Sequence, residues 1–242
     1  MLRPIVLPDY KTLSQRAAEL VVAELRAKPT SLLCLASGST PTRTYELLAL
    51  EGAKEPTLFE HCRIIKLDEW GGLSPGDPAT CDSQLRTTLV SPLGLTERYV
   101  AFESNPLDPN AECARIEAWL DQNGPIDISV LGLGINGHLG FTEPAENLQP
   151  FAHVAELSQA SLAHAMLAKS DVRPTYGLTL GMADLIQSRC ILLLVSGSTK
   201  RDPLQRLLGG RLSTEFPASM LQVHPNVLLI CDAAAYPESV ST

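Results

Sequence analysis

The chain has 242 residues, 19 basic against 27 acidic side chains for a formal charge of -8, and 45% hydrophobic residues. A chain this long buries most of its unfolded surface without a disulfide or metal staple, and its apolar content excludes disorder over most of its length. The acidic balance excludes a general binder of nucleic acid or of an acidic membrane surface, which needs a basic face, but leaves room for one small basic pocket.

Residues 12–27 read as a helix, with Leu13, Ala17, Leu20, Val21 and Leu25 on one face and Thr12 with Gln15 as a candidate capping box. Ser31 to Ala36 is a short apolar strand. A Gly/Ser/Thr turn follows, then a helix with Pro41 at its first position that runs through Tyr45, Leu47 and Leu48. Arg63 to Leu67 is a second strand, and Cys81 to Val90 and Asn110 to Leu120 are helix candidates. Ile126 to Leu131, Cys190 to Val195 and Val227 to Ile230 are the third, fourth and fifth strands. Continuous apolar strands alternating with helices imply an α/β fold: a mostly parallel, doubly wound, Rossmann-like sheet covered on both faces. No linker, repeat or low-complexity tract divides residues 1–242, so the sequence reads as a single domain.

The six cysteines, Cys34, Cys62, Cys81, Cys113, Cys190 and Cys231, form no CxxC pair, and no His-rich cluster accompanies them. They read as reduced core thiols of a cytoplasmic protein, and no metal site is expected. The first residues lack a signal-peptide apolar region, and no apolar run approaches the ~20 residues that span a bilayer.

In doubly wound sheets ligands bind beyond the carboxyl ends of the strands, so the segments after the strands carry the functional signal. After the first comes Ser37-Gly38-Ser39-Thr40-Pro41, whose small residues, hydroxyls and following helix N-terminus suit a phosphate, although no GK[ST] makes it a Walker loop. After the second comes Lys66-Leu67-Asp68-Glu69-Trp70-Gly71-Gly72: two adjacent carboxylates that are either a general base with its neighbour or solvated turn acids. After the third comes Gly132-Leu133-Gly134-Ile135-Asn136-Gly137-His138, continuing Leu139-Gly140-Phe141-Thr142-Glu143-Pro144. It contains a literal GxGxxG, but so late in the chain and so close to Pro144 it reads as a loop rather than a dinucleotide fingerprint. His138 and Glu143 on that loop can move protons near neutral pH. After the fourth comes Ser196-Gly197-Ser198-Thr199-Lys200, a second small-residue turn with an ammonium suited to phosphate.

These four turns, in this order, resemble the glucosamine-6-phosphate deaminase/isomerase family from about Leu33 to Cys231. CLASGSTPTRTYELL, KLDEWGGL, the LGLGINGHLGFTEP loop with its ENLQP tail and YGLTLGMADLI are most similar to the galactosamine-6-phosphate branch. The resemblance implies isomerisation and deamination of a 2-amino-2-deoxyhexose 6-phosphate, galactosamine-6-phosphate favoured, with no cofactor. It implies His138 as ring-opening acid/base, Asp68 as the base at carbon 2, and Glu143 as the partner that orients His138. Ser37, Gly38, Ser39, Thr40 and Lys200 hold the phosphate, and Glu69, Gly134 and His164 complete the candidate substrate contacts.

The chain departs from the glucosamine enzymes in two places. Asn136 stands where they carry an Asp of an Asp–His–Glu relay, and here the galactosamine branch resembles this chain. The stretch Ser161 to Leu167 lacks their arginine, and His164 takes its place. The sequence also ends soon after Asp232, without the extension of the allosteric deaminases, so no activation by an amino-sugar phosphate is expected. The rival readings are glucosamine-6-phosphate as substrate, 6-phosphogluconolactonase activity on the same fold, and a non-catalytic sugar-phosphate-binding protein. The expected partner is a small sugar phosphate rather than nucleic acid or membrane, and the sequence is silent on oligomeric state.

Overall fold

The computed structural model describes residues 2–237. In chain order the elements are β1 (Ile5–Leu7), α1 (Tyr10–Ala27), β2 (Leu32–Leu35), α2 (Ser39–Lys54), β3 (Arg63–Lys66), β4 (Asp68–Gly71), α3 (Cys81–Leu85) and β5 (Tyr99–Val100). They continue with α4 (Pro109–Asn123), β6 (Ile128–Gly132), β7 (His153–Ala155), α5 (Gln159–Leu162), β8 (Tyr176–Thr179), α6 (Met182–Ile186), β9 (Cys190–Val195), α7 (Arg201–Leu208) and β10 (Val227–Asp232). Seven strands form one sheet in the order β1-β10-β9-β6-β2-β3-β5, with every neighbouring pair parallel.

The period-2 geometry of a strand sends alternate side chains to opposite faces. Leu33, Leu35, Val130, Leu192 and Leu194 pack under α1 and α2. Leu32, Cys34, Leu131, Leu193 and Cys231 pack under α4, α6 and α7. Both faces are thus apolar, which is why these strands read as continuous hydrophobic runs. The six cysteines are free, and all but the half-buried Cys190 are buried. Among the described residues no helix is long and apolar enough to cross a membrane.

The structure corrects several element boundaries. Helix α1 starts two residues before Thr12, because Asp9 is its N-cap: Asp9 accepts from Thr12 N–H at 2.7 Å while Thr12 Oγ1 accepts from Asp9 N–H. Helix α2 starts at Ser39, so Pro41 lies inside its first turn, where a missing N–H breaks no intrahelical bond. The segment 81–90 is α-helical only to Leu85 and then widens into a π-turn over Arg86–Val90.

The larger correction concerns residues 68–71, which are not a turn. The chain leaves the parallel sheet at Lys66 and re-enters extended structure as β4, the edge of a three-stranded antiparallel sheet ordered β4-β8-β7. This small sheet stands beyond the carboxyl ends of the large one. Trp70, Phe141, Met166 and Leu167 fill the space beneath it.

Candidate active site

Strands β2, β3 and β5 build outward on one side of the sheet, and β6, β9 and β10 on the other. The strand order therefore reverses between β2 and β6, the switch point at which connecting chains diverge and leave a crevice. The turn after β2 and the loop after β6 leave from the two sides of that point. Between them lies a cleft of about 850 Å³ whose wall includes Ser37, Gly38, Ser39, Thr40, Asp68, Gly134, His138, His164 and Lys200. Three of the expected residues do not reach it. Asn136 and Glu143 stand behind His138, and Glu69 faces the other way.

Glu69 is fully buried and saturated. Its carboxylate pairs with the buried Lys66 ammonium and accepts the backbone N–H groups of Trp70, Cys81 and Asp82 at 2.8–2.9 Å. With no lone pair left for a ligand, it is a clamp between β4 and the start of α3 and not a substrate contact. Asp68, its neighbour, is the opposite case. Pleating turns it to the cleft, it is 8% exposed, and its Oδ1 has no hydrogen-bond partner. Desolvation, then the adjacent Glu69 charge, push its carboxyl up to about 7, against the opposing pull of Lys66.

His138 is fixed by its loop. Gly137 N–H reaches Gly134 C=O at 3.1 Å and Gly134 N–H reaches His138 C=O at 3.0 Å. Gly137 has a φ of +90°, and a Cβ there would lie 2.1 Å from the Phe216 ring, so glycine is required. Behind the imidazole, Glu143 Oε2 lies 3.4 Å from Nδ1. Glu143 also accepts from Asn136 Nδ2 at 2.8 Å, Ser158 Oγ at 2.9 Å and the Ser161 hydroxyl. Burial alone would raise its carboxyl, but the hydrogen bond and charge of His138, then Ser161 and Asn136, hold it down at about 2. A carboxylate that stays ionised across the neutral range can orient a histidine without competing for its proton.

Asn136 therefore serves Glu143 rather than the ring. Its Nδ2 donates to the carboxylate, and its Oδ1 accepts from the His138 backbone N–H at 3.2 Å. Asn136→Asp keeps the acceptor but replaces the donor with a second anion beside Glu143. The Glu143 carboxyl should then titrate upward from about 2. Its stabilising charge should be lost at a higher pH as acid is added. The expected readout is a loss of kcat/KM relative to native protein that deepens as the pH is lowered, reaching at most about tenfold, and is smallest at pH 8; a pH profile superimposable on the native one would remove Asn136 from the relay.

The two small-residue turns differ more than their sequences do. In the second, Ser196 Oγ and Gly197 N–H are both held by Asp232 at the end of β10, which leaves Thr199 and Lys200 at the cleft. Burial lowers the Lys200 ammonium below its usual range. In the first turn the Gly38 N–H, expected to meet a phosphate, is already taken by Gln84. The N–H groups of Ser39 and Thr40, at the head of α2, have no intrahelical acceptor. His164 Nδ1 accepts from Met166 N–H at 3.3 Å, which places the ring proton on Nε2. That Nε2 lies 4.0 Å from the position of a Cβ built on Gly38, so it faces the first turn. Burial, then His138 and Lys200, lower its imidazole below the ordinary range.

Two participants, Ser158 and Ser161, escaped the sequence reading, although the Ser158-x-x-Ser161 spacing is a helix-cap signal: Ser158 Oγ accepts from Ser161 N–H at 3.2 Å. Among the described residues no group of His, Cys, Asp or Glu is arranged to hold a metal ion.

The family model described as glucosamine-6-phosphate isomerases/6-phosphogluconolactonase matches residues 8–229, nearly the whole described chain. This chain belongs to that family. Similar members include the Escherichia coli (strain K12) protein named Putative deaminase AgaI, 39% identical over 223 residues, covering 92% of this chain and 88% of that protein. The glucosamine-6-phosphate deaminase of Geobacillus sp. (strain WCH70) is 37% identical over 232 residues, covering 94% and 92%. Among solved structures, a monomeric glucosamine-6-phosphate deaminase superposes with a TM-score of 0.92 at 34% identity, covering 97% of this chain and 98% of that one. The 6-phosphogluconolactonase of Trypanosoma brucei superposes at 0.77 with 20% identity, a likeness of fold alone.

Proposed function

We propose that this family member isomerises and deaminates a 2-amino-2-deoxyhexose 6-phosphate, with galactosamine-6-phosphate as the favoured substrate, yielding a ketohexose 6-phosphate and ammonia. The observation that carries this reading is Asp68: a buried, unpartnered carboxylate facing the same cleft as His138 and shifted to about 7. A base for a carbon-bound proton needs such desolvation, and a lactonase or a binding protein has no carbon-bound proton to move.

His138 passes a proton between the anomeric hydroxyl and the ring oxygen, which opens the ring to the aldehyde. Asp68 takes the carbon-2 proton, the electron pair left behind forms the carbon 1–carbon 2 double bond, and the aldehyde oxygen, which receives the carbonyl pair, takes a proton from the carbon-2 ammonium to give an enolamine. Asp68 returns the proton to carbon 1, leaving an imine at carbon 2, and water hydrolyses it to the ketone and ammonia. Glu143 keeps His138 oriented throughout. Ser37, Ser39, Thr40, Lys200 and His164 hold the phosphate, whose binding energy positions carbons that it does not touch.

The galacto preference rests on the GINGHLGFTEP loop, with Asn136, resembling that branch. Relatives named as glucosamine-6-phosphate deaminases keep the gluco epimer as the alternative. Ammonia release from the two epimers, side by side without added cofactor, separates these. Faster galacto turnover supports the reading, faster gluco turnover reverses the epimer, and release from neither overturns it. In the same assay Lys200→Ala should raise KM by about 10- to 100-fold with a smaller effect on kcat, because a charge that binds ground and transition states alike acts on KM. An unchanged KM removes Lys200 from the phosphate site.

A further inference from the structure

The Ser37–Thr40 turn leads into α2 with no side-chain cap and with its N-cap, Gly38, at a φ of +111°. The local hold on the turn is a hydroxyl, Thr42 Oγ1, on the Gly38 C=O; the Gly38 N–H has no local partner. It is held from 46 residues away by Gln84, on the last turn of α3. Gln84 Oε1 accepts from Gly38 N–H at 2.8 Å, and Gln84 Nε2 donates to Gly38 C=O at 3.0 Å and to Thr42 Oγ1 at 2.5 Å. The side-chain amide thus pairs with both backbone polar groups of one residue, as a neighbouring strand would. Thr42 Oγ1 in turn donates to Gly38 C=O at 2.7 Å, so the clamp reaches into the first turn of α2.

We infer that Gln84 is the positioning residue of the phosphate cradle and sets this site's affinity for the 6-phosphate, an inference that rests on the reading of the cleft as a sugar-phosphate site. By filling the Gly38 N–H it aims the next N–H groups, those of Ser39 and Thr40, at the anion. It also fixes beforehand a turn that phosphate would otherwise have to order on binding, and pre-organisation of this kind appears as affinity. Gln84 does not itself line the cleft, so it touches no substrate.

Two variants separate positioning from general structural support. Gln84→Met keeps the length and removes the hydrogen bonds. Gln84→Glu keeps an acceptor for the Gly38 N–H but, when ionised, loses both donors and brings an anion toward the phosphate. Calorimetric titration with inorganic phosphate, run alongside turnover, is the test. For Gln84→Met the phosphate Kd and the substrate KM are expected to rise together, by about tenfold, with kcat reduced less than threefold. For Gln84→Glu they are expected to rise further than for Gln84→Met at pH 8 and to fall back toward the Gln84→Met values near pH 5, where the carboxyl is nearer its titration and the phosphate carries one charge fewer. Both variants are compared with native protein at the same pH, so each ratio refers to one charge state of the phosphate.

Unchanged phosphate affinity in both variants would overturn the inference, and so would a loss confined to kcat or a native protein that binds no phosphate. If native protein binds phosphate and the variants weaken it, but neither amino-sugar phosphate is turned over, the inference stands while the proposed reaction falls.

Discussion

Asp68→Asn should lower kcat by about 10³, within the usual range for loss of a general base, and should abolish exchange of the carbon-2 proton with solvent. The amide matches the carboxylate in size and fills the same 8%-exposed site, so neither the cleft nor the phosphate turn should be disturbed. KM should therefore stay close to native. The native enzyme should show an acidic limb in kcat/KM near pH 7, since only the ionised carboxylate takes a proton and its titration lies at about 7. That limb should be missing from the residual activity of the variant. Measured deuterium exchange at native rates in Asp68→Asn would transfer the base role to another group.

The same substitution should make the protein more stable in alkali. Asp68 titrates higher folded than unfolded, so folding favours its protonated form. Its contribution to stability is fully present below the unfolded value of about 4 and is lost as pH rises through about 7. An amide has no such loss. The melting temperature of Asp68→Asn should exceed that of native protein at pH 8 and approach it at pH 5. A less stable variant at pH 8 would mean that the buried carboxylate has a partner the structure does not reveal. Activity and stability pull opposite ways here for one reason: the desolvation that makes the base effective also makes its charge costly.

The sheet was legible because both of its faces are buried. A strand covered on both sides carries no alternation to misread, and Cys190–Val195 coincides with β9 at both ends. The small sheet was hidden for the complementary reason. Strand β4 has four residues, two of them acidic, and only the Lys66 partner and three backbone donors make its Glu69 burial tolerable. Nothing local announces a partner three residues back that turns inward. The same holds for Gln84, whose target lies 46 residues away. The loop that carries His138 was legible because glycine density and Pro144 constrain the backbone locally. Which side of His138 the Asn136 amide would take was not, since that depends on where Glu143 returns.

Gly134→Ala should lower kcat/KM by about 10² while leaving every acid, base and phosphate-binding side chain in place in the sequence. A Cβ on residue 134 would lie 2.3 Å from His138 Cδ2 and 2.5 Å from Nε2, well inside contact distance. Either the imidazole or the loop must give way. The loop is tied by the hydrogen bonds between residues 134, 137 and 138 and by Ala218 N–H donating to Gly137 C=O at 2.8 Å. The ring, 19% exposed at the edge of an open cleft, has room to move. It should swing out of the reach of Glu143, whose Oε2 lies 3.4 Å from Nδ1, and lose its orientation. Unlike Gly137, residue 134 does not adopt a positive φ, so alanine there adds a methyl group without backbone strain. Phosphate affinity should hold, because Ser39, Thr40 and Lys200 belong to other turns. Native activity in Gly134→Ala would show that the ring tolerates displacement and that its position over Gly134 is not the catalytic one. A parallel loss of phosphate binding would show that the loop moved instead of the ring.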